Sequence, residues 1–254
     1  MSAEPSRVVA ADGAKGELIA LQAGVFGLRA IALGEGSFGA LLDAALASVA
    51  GRHGRALHVR LSTAERPSDH ASSLIARGFA RVSERVEFEA LVEGLPNDAT
   101  SPLTWAALPD LADNTLRDAG RLLNRAGHGD PDWGDDDEGL ELLKGYLAET
   151  GLTRGPECIA VGTLEGSPAA IVVAQVNHST GVGRITYLGV APECRGRGLG
   201  TWVHRHGFAM LKAQGAERYR GGTLANNLPM LQLFSLHGCA EWRRLEEWVW
   251  RKNR

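Results

Sequence analysis

A short run of arginines and glycines at residues 195–200 has the composition of an anion-binding loop. Its glycines (Gly196, Gly198 and Gly200) can adopt positive φ angles, so that successive backbone N–H groups turn towards phosphate oxygens. Arg195 and Arg197 add permanent positive charge, and a guanidinium can bind phosphate through two hydrogen bonds. A strand pattern precedes the run and a helix pattern follows, and helix N-termini attract anions. The sequence therefore predicts a phosphate-binding loop.

The spacing of the loop excludes two other nucleotide-binding motifs. A dinucleotide fingerprint that starts at Gly196 and Gly198 needs glycine at position 201, where this chain has Thr201. A P-loop needs lysine and then serine or threonine after its last glycine, and that sequence does not occur here. The remaining pattern is arginine, two residues, glycine, one residue, glycine.

With this pattern after a strand that ends in Leu188-Gly189-Val190, the sequence resembles the GCN5-related N-acetyltransferases. A second signature, Asn227 followed by a helical segment that ends at Gly238, strengthens the resemblance. The resemblance implies acetyl-CoA as the acyl donor. It also implies a set of residues that bind this donor: Leu188, Gly189, Val190, Arg195, Gly196, Arg197, Gly198, Leu199, Gly200, Thr201, Asn227 and Phe234.

The resemblance also implies how this region works. The strands at residues 184–190 and 219–224 should separate and leave a cleft for the pantetheine arm. Backbone N–H groups near Leu188 or Val190 should then polarise the thioester carbonyl.

The acid and the base of the reaction are not identified by the sequence. Some relatives carry a glutamate base where this chain has Arg184, and a tyrosine acid where it has Phe234. Thr186 and Tyr187 are the nearest polar side chains, and ordinary strand packing explains them equally well. The leading hypothesis is transfer of an acetyl group to a primary amine of a small molecule or peptide. The alternatives are a CoA-binding sensor or scaffold without catalysis, and a purely structural pseudo-dimer.

An acidic loop at residues 127–138 has two interpretations. It could be a solvated connection whose last carboxylates favour the start of the next helix. It could instead border the acceptor site, as the resemblance implies, and attract a cationic amine. The identity of the acceptor is not encoded in any motif of this loop.

Composition limits the class of protein. A chain of 254 residues with 44% hydrophobic residues can form one large or two small domains, and a net charge of −3 argues against a nucleic-acid-binding protein. Three widely separated cysteines predict neither a disulfide framework nor a zinc site. His204 and His206 lie two apart on a helix and make a poor metal pair. With no secretory or membrane-spanning pattern, we expect a cytoplasmic protein without a metal.

The glycine spacing of the C-terminal half is repeated in the N-terminal half. Gly39 and Gly54 are separated as Gly200 and Gly215 are, and similar helix and strand patterns follow both pairs. In place of the arginines the first copy has Glu35, which would repel a pyrophosphate. We interpret residues 1–95 as a degenerate acetyltransferase-like domain, 96–102 as a linker and 103–254 as the acetyl-CoA-binding domain.

The predicted fold class is α/β (α+β). Each copy is expected to be a mixed, mostly antiparallel sheet flanked by helices, and the N-terminal copy to be truncated. Because relatives often pair, the tandem chain is expected to be a monomeric pseudo-dimer or a homodimer.

Overall fold

The computed structural model describes residues 7–11, 13–22, 24–32, 38–63, 68–96, 100–131, 133, 138–149 and 151–252. The chain divides into two compact units. Unit 1 comprises Met1–Val86 with Arg243–Arg254, and unit 2 comprises Glu87–Trp242. The division falls within two long strands, so that each of these strands contributes residues to both units.

The described elements alternate between short groups of strands and single helices. The first half contains β1 (Arg7–Ala11), β2 (Ala14–Gln22), β3 (Val25–Ala32), α1 (Phe38–Gly51), β4 (Ala56–Ser62), α2 (Ser68–Ala76) and β5 (Ala80–Leu91). The second half contains β6 (Thr104–Ala107), α3 (Asp113–Gly127), α4 (Gly139–Ala148), β7 (Ile159–Leu164), β8 (Ser167–Asn177), β9 (Val182–Val190), α5 (Leu199–Ala213), β10 (Arg218–Leu224), α6 (Leu228–Leu236) and β11 (Ala240–Arg251).

In unit 1 the strand order is β1-β2-β3-β4-β11. The β1–β2, β2–β3 and β4–β11 pairs are antiparallel, and β3 pairs with β4 in parallel across the α1 crossover. Helix α1 buries Leu41, Leu42, Ala45 and Val49, which recur at helical spacing and form one apolar face. Trp248 of β11 belongs to the same core, so the C-terminal strand completes this unit.

In unit 2 the strand order is β10-β9-β8-β7-β6. Strands β6 to β9 are antiparallel neighbours, and β9 pairs with β10 in parallel. The central strand β8 is buried from Ala169 to Val176, which explains its nearly continuous apolar sequence. Helix α5 packs closely on this sheet at Gly207, which has no side chain. A Cβ at this position would lie 2.5 Å from Ile185 Cδ1.

Helices α3 and α4 of unit 2 pack at close range through two glycines. A Cβ on Gly139 would lie 2.2 Å from the carbonyl oxygen of Gly120, so any larger residue would push the helices apart. The Asn124 side chain accepts a hydrogen bond of 2.6 Å from the Gly139 N–H and fixes the start of α4.

The predicted fold class is confirmed. Three strands, a helix, a parallel strand, a helix and a final strand occur in this order from β1 to β5 and again from β7 to β11. The domain boundaries at residues 96–102 stay a prediction.

Candidate active site

The glycine loop joins β9 to α5 and has the predicted backbone conformation. Gly196 (φ 76°) and Gly198 (φ 71°) are both left-handed, and a Cβ on either would have no atom of the described residues within 4 Å. Gly198 is the N-cap residue of α5. The first N–H groups of a helix have no acceptor within the helix. The loop therefore presents open backbone at a helix N-terminus, as an anion site requires.

The two arginines of the loop differ in their surroundings. Arg195 donates from Nε to the Val190 carbonyl (3.1 Å) and from Nη2 to the Ala126 carbonyl (2.8 Å). It thereby ties the loop to the end of β9 and to the end of α3. Arg197 is exposed. Arg195 therefore supports the loop structurally. The phosphate contacts of Arg195 and Arg197 stay predictions.

The end of β9 is held on one side by β8. Leu188, Gly189 and Val190 face Val172, Ile171 and Ala170 in the antiparallel register. A Cβ on Gly189 would lie 2.7 Å from Tyr187 Oη and 2.8 Å from Ala126 Cβ, so only glycine fits beneath the tyrosine hydroxyl.

On its other side β9 separates from β10, as predicted. The parallel pairing joins Val182 to Arg218 and Gly183 to Tyr219, and the register ends there. A register shift between Val173 and Ala174 on β8 leaves Thr186 of β9 as an extra residue. Because such a bulge bends its strand and increases the local twist, it turns the second half of β9 away from β10.

The bulge is stabilised by a buried glutamine. Thr186 Oγ1 donates to Gln175 Oε1 at 2.9 Å, and Gln175 Nε2 donates to the carbonyls of Tyr146 (3.0 Å) and Thr153 (2.9 Å). Gln175 has no exposed surface, and these bonds satisfy both ends of its amide. Thr186 therefore has a structural role.

Arg184 stands where some relatives have a glutamate base, and it forms an ion pair with Glu149 at the end of α4. A guanidinium keeps its proton at any physiological pH, so Arg184 cannot act as a base.

The remaining predicted residues at the start of α5 lie as the pattern requires. Leu199 is buried, with 4% exposure, and packs the first turn of the helix into unit 2. The Thr201 N–H donates to the Gly198 carbonyl at 3.3 Å and closes that turn. A Cβ on Gly200 would lie 3.5 Å from Leu233 Cδ1, which is an ordinary contact.

Asn227 is the N-cap of α6 and also binds the acidic loop. Its side-chain oxygen accepts from the Met230 N–H at 3.3 Å. Its Nδ2 donates to Asp130 Oδ1 at 3.2 Å. Asp130 lies in the turn after α3, so this side chain joins that turn to the start of α6. Of the same loop, residues 132 and 134–137 lie outside the described residues.

Phe234 lies in a buried cluster of aromatic rings. It is 1% exposed and stacks on Phe88 with a centroid distance of 4.2 Å and an interplanar angle of 10°. His204 meets it edge-on at 5.4 Å, and Tyr219 is a further neighbour. The predicted contact of Phe234 with acetyl-CoA stays a prediction, and its packing explains why an apolar ring occupies this position.

Two histidines of this cluster form a buried hydrogen-bonded pair. His204 Nδ1 and His237 Nδ1 lie 2.9 Å apart, and His204 Nε2 lies 3.2 Å from Tyr219 Oη. Burial lowers the pKa of His204 well below its usual value, and His237 adds to this effect. Burial, with a contribution from Arg205, lowers the pKa of His237 to about 4. Both rings are therefore neutral at pH 7.

Sequence reasoning gave Tyr187 no definite role, and its hydroxyl is the most unusual polar group beside the loop. The oxygen is buried and has no hydrogen-bond partner among the described residues. Burial raises the pKa of Tyr187, and the charge of Asp130 raises it further. Trp133 meets the Tyr187 ring edge-on at 5.8 Å. The sequence pointed to Tyr187 only as one of the two polar side chains nearest to the expected base position, and strand packing explained it equally well.

Residues 122–238 match the sequence profile of the acetyltransferase (GNAT) family. No curated protein matches the chain. Among solved structures, a GCN5-related N-acetyltransferase from Sphaerobacter thermophilus has a TM-score of 0.73 at 14% identity, covering 95% of this chain and 78% of the other. A second from Kribbella flavida has a TM-score of 0.67 at 14% identity, covering 98% and 90%.

A tandem GNAT protein from the clavulanic acid biosynthesis pathway has a TM-score of 0.68 at 12% identity, covering 100% of this chain and 86% of that one. These likenesses establish the fold, and with the family match they confirm the resemblance predicted from the loop. Among the described residues, the helices are too short or too polar to cross a membrane.

Proposed function

We propose, from the premise that residues 122–238 belong to the acetyltransferase (GNAT) family, that this protein is an N-acetyltransferase. It transfers the acetyl group of acetyl-CoA to a primary amine of a small molecule or peptide. The family supports acyl transfer in general. The observation that carries the finer proposal is the open loop at Gly196 and Gly198, which lies beside two strands that separate.

The loop fits the phosphates of an acyl-CoA. A side chain at either left-handed glycine would occupy space that is open in the described structure, and consecutive N–H groups in such a loop can bind phosphate oxygens. The residues that would hold the substrate are those at the end of β9, in the loop, in the first turn of α5 and at the start of α6: Leu188, Gly189, Val190, Arg195, Gly196, Arg197, Gly198, Leu199, Gly200, Thr201, Asn227 and Phe234. Acetyl-CoA supplies an acyl group activated as a thioester.

The protein contributes positioning and polarisation. The edge of β9 that separates from β10 carries backbone N–H groups that no neighbouring strand uses, and such groups stabilise the charge that develops on a thioester oxygen. Arg195 holds this edge and the loop in one arrangement through Val190 and Ala126. Fixed donors of this kind need no reorganisation during the reaction.

The amine must be neutral to attack. An alkyl amine with a pKa of about 10.4 is neutral at pH 7 in only about one molecule in a few thousand, so a route for its proton is required. Arg184 cannot provide it, because its guanidinium is charged and paired with Glu149.

A second candidate function is a CoA-binding sensor or scaffold that does not catalyse transfer. The burial of Phe234 favours it, because a tyrosine acid is replaced by a ring packed into the core. A thiolate with a pKa near 8.5 is nevertheless a tolerable leaving group that water can protonate. Acetyl transfer therefore remains the first proposal.

The test is the release of CoA from acetyl-CoA with a panel of primary amines, and without amine as the control for hydrolysis. Acetyl transfer predicts release that depends on an amine and an acetylated product of the corresponding mass. Acetyl-CoA binding without transfer to any amine of the panel would instead support the sensor.

We further propose that the N-terminal copy, within residues 1–95, cannot hold acetyl-CoA and that the linker lies at residues 96–102. Residue 35, the glutamate on which this rests, lies outside the described residues. Calorimetric titration should give one acetyl-CoA per chain, and two per chain would contradict a degenerate copy. A cytoplasmic location and a monomeric pseudo-dimer or a homodimer complete the proposal.

A further inference from the structure

Three polar side chains form a hydrogen-bonded chain inside the aromatic cluster of unit 2. Tyr219 Oη lies 3.2 Å from His204 Nε2, and His204 Nδ1 lies 2.9 Å from His237 Nδ1. All three residues are buried, with exposed fractions of 1%, 0% and 6%. They come from β10, from α5 and from the C-terminal end of α6. The chain therefore links the strand on one side of the cleft with the end of a helix.

The inner end of the chain is the Tyr219 hydroxyl. Tyr219 belongs to the last residue pair that joins β10 to β9, and the strands separate beyond it. Two residues further along β10, a Cβ on Gly221 would lie 2.2 Å from Tyr219 Oη and 2.9 Å from Phe234 Cε1. The hydroxyl thus occupies the side-chain space of a residue in the separated part of β10. It also lies beside the ring that replaces the tyrosine acid of some relatives.

The outer end of the chain is His237 Nε2. This atom is buried and has no hydrogen-bond partner among the residues that the structure describes. The neighbours of His237 in the sequence are both exposed, Leu236 by 63%, so the imidazole lies directly beneath the surface. The nitrogen of a neutral imidazole can donate or accept a proton, depending on the tautomer. This end of the chain can therefore exchange a proton with water.

Each member of the chain is neutral. Burial lowers the pKa of both histidines and raises that of Tyr219, so none of them is charged at pH 7. The two hydrogen bonds can then be made in two orders, with every donor directed towards His237 or every donor directed towards Tyr219. A proton that enters at His237 and another that leaves at Tyr219 convert one order into the other.

We infer that Tyr219, His204 and His237 form a proton relay that protonates the departing CoA thiolate. The inference deepens the proposed acetyl transfer and rests on it. The amine nitrogen forms the C–N bond as the C–S bond breaks, and it releases its proton to water. Tyr219 donates its proton to the sulfur and takes one from His204 Nε2. His204 takes a proton from His237 Nδ1, and His237 takes one from water at Nε2.

The relay returns to its first order after CoA leaves. A proton from water in the cleft passes to Tyr219, and the reverse movement releases a proton to water at His237. Each residue begins and ends the cycle neutral, which suits a buried site where a lasting charge would be costly. The relay also gives a role to two histidines buried among aromatic rings, and it explains how transfer can proceed with Phe234 in place of a tyrosine.

Two nearby titratable groups favour the neutral state of the relay. The charge of Arg205 disfavours a second proton on His237. Cys239 acts on Tyr219 and disfavours its ionisation. Burial raises the pKa of Cys239 itself to about 12, so this thiol keeps its proton.

The test measures kcat with the primary amine that the wild type acetylates fastest, and the Kd of acetyl-CoA by calorimetric titration. Tyr219→Phe keeps the ring and removes the hydroxyl. We expect kcat to fall about 100-fold, the lower end for positioned proton transfer, because a thiolate is a tolerable leaving group. The Kd should not change. Tyr146→Phe removes a hydroxyl from α4, outside the relay, and should leave both quantities unchanged.

His237→Ala tests the outer end with a readout that lost packing alone would not give. Its kcat should fall by a comparable factor, and imidazole added at about pH 8, where the free ring is neutral, should restore it. Pyrrole has the same ring size and an N–H but no acceptor nitrogen, so it should fill the same space without restoring transfer. Thermal unfolding shows whether each variant is folded.

An unchanged kcat in folded Tyr219→Phe, or equal rescue of His237→Ala by imidazole and pyrrole, would overturn the relay and leave acetyl transfer in place. So would a fall in kcat that is matched by an equal loss of acetyl-CoA affinity. If Tyr219→Phe does not fold, the rescue of His237→Ala decides alone. A wild-type protein that binds acetyl-CoA and acetylates no amine would overturn the proposed function, and the relay with it.

Discussion

Two helix pairs, one in each unit, place residues at the same spacing and use them in opposite ways. Asp43 lies four residues after Gly39, and Arg77 directly precedes Gly78; His204 lies four residues after Gly200, and His237 directly precedes Gly238. In unit 1 Arg77 donates to Asp43 from Nε (2.7 Å) and from Nη2 (2.8 Å). In unit 2 the two histidines share a hydrogen bond inside an aromatic core. The shared spacing supports a common origin of the two copies.

The difference affects the start of the first helix. In unit 1 a Cβ on Gly39 would lie 2.8 Å from Arg77 Nη2, so that guanidinium covers the first turn of α1. In unit 2 a Cβ on the matching Gly200 would meet, among the described residues, only Leu233 at an ordinary distance of 3.5 Å, and the loop before it is open. In unit 1 an arginine of the protein covers the start of the first helix, whereas in unit 2 the start of the matching helix is open to a ligand.

The two units also differ in the length over which their parallel strands are paired. In unit 1, β3 and β4 pair over four residue pairs, from Val25 with Ala56 to Leu28 with Val59. In unit 2, β9 and β10 pair over two before they separate. The copy with the open loop therefore also has the longer unpaired strand edge, and the two features together form its cleft.

The largest expected effect comes from truncating the matched core residues. Phe234→Ala and Leu74→Ala both remove a fully buried side chain from the second helix of a copy, and each should lower the free energy of unfolding by about 3 kcal/mol or more. Only Phe234→Ala should also weaken acetyl-CoA binding. The Phe234 ring packs against β10, where a Cβ on Gly221 would lie 2.9 Å from it, and β10 is one side of the proposed cleft. Urea unfolding and acetyl-CoA titration measure the two quantities. Equal loss of binding in both variants would remove the distinction between the copies.

The histidine pair should make the stability of unit 2 depend on pH between 6.5 and 4. The pKa of His237 falls from 6.5 to about 4 on folding, so its neutral form stabilises the protein above pH 6.5. This contribution, up to about 3 kcal/mol, should be lost as the pH falls from 6.5 to 4. His237→Gln should flatten the unfolding free energy over this window, and Asp43→Asn should not. The same slope in all three proteins would show that other groups cause it.

Asn227→Ala should have a smaller effect. The loss of an N-cap side chain lowers helix stability by about 1 kcal/mol, and here the bond to Asp130 is lost as well. The change should reduce acetyl transfer more than it reduces acetyl-CoA affinity, because the turn that carries Asp130 is no longer held. Asn227→Asp keeps the cap and repels Asp130, so it separates these two roles. An unchanged KM and kcat in both variants would contradict the assigned contact.

The smallest effect is expected at the ion pair of unit 1. Asp43 is 61% exposed, and an exposed pair contributes about 0.5 kcal/mol. The hydrogen bond from Arg77 lowers the pKa of Asp43, so the contribution is present at neutral pH and is lost as the pH falls below the usual carboxyl range. Asp43→Asn should leave acetyl-CoA binding unchanged. A change in binding would mean that unit 1 takes part in the site.

Much of this architecture could be predicted from the sequence. The loop at residues 195–200 follows from glycine spacing and charge, and the helix faces follow from apolar periodicity, as at Val203, Gly207 and Leu211. The separation of β9 from β10 was predicted from the family resemblance, and the register confirms it. The repeat was visible because its glycines end helices and start loops, which fixes their spacing.

The surroundings of individual polar groups could not be predicted. The contacts of Asp130 with Asn227, and of His204 with His237, join residues far apart in the chain, and nothing in their local sequence indicates a partner. The Tyr187 hydroxyl, which has no hydrogen-bond partner in the described part of the chain, depends on how β9 bulges at Thr186, and strand periodicity does not encode that bulge. Arg195 combines charge with loop support, and composition alone revealed only the charge.

An acyl-CoA site at the glycine loop can be tested by thermal unfolding with and without acetyl-CoA for the wild type, Gly198→Glu and Gly215→Glu. Both glycines have positive φ and an open Cβ position, at opposite ends of α5, so both variants carry similar backbone strain. A ligand at about 100 times its Kd stabilises by about 2.7 kcal/mol, a Tm rise of several degrees.

We predict that rise for the wild type and for Gly215→Glu, and no rise for Gly198→Glu. A rise in all three proteins, or in none, would contradict an acyl-CoA site at the glycine loop.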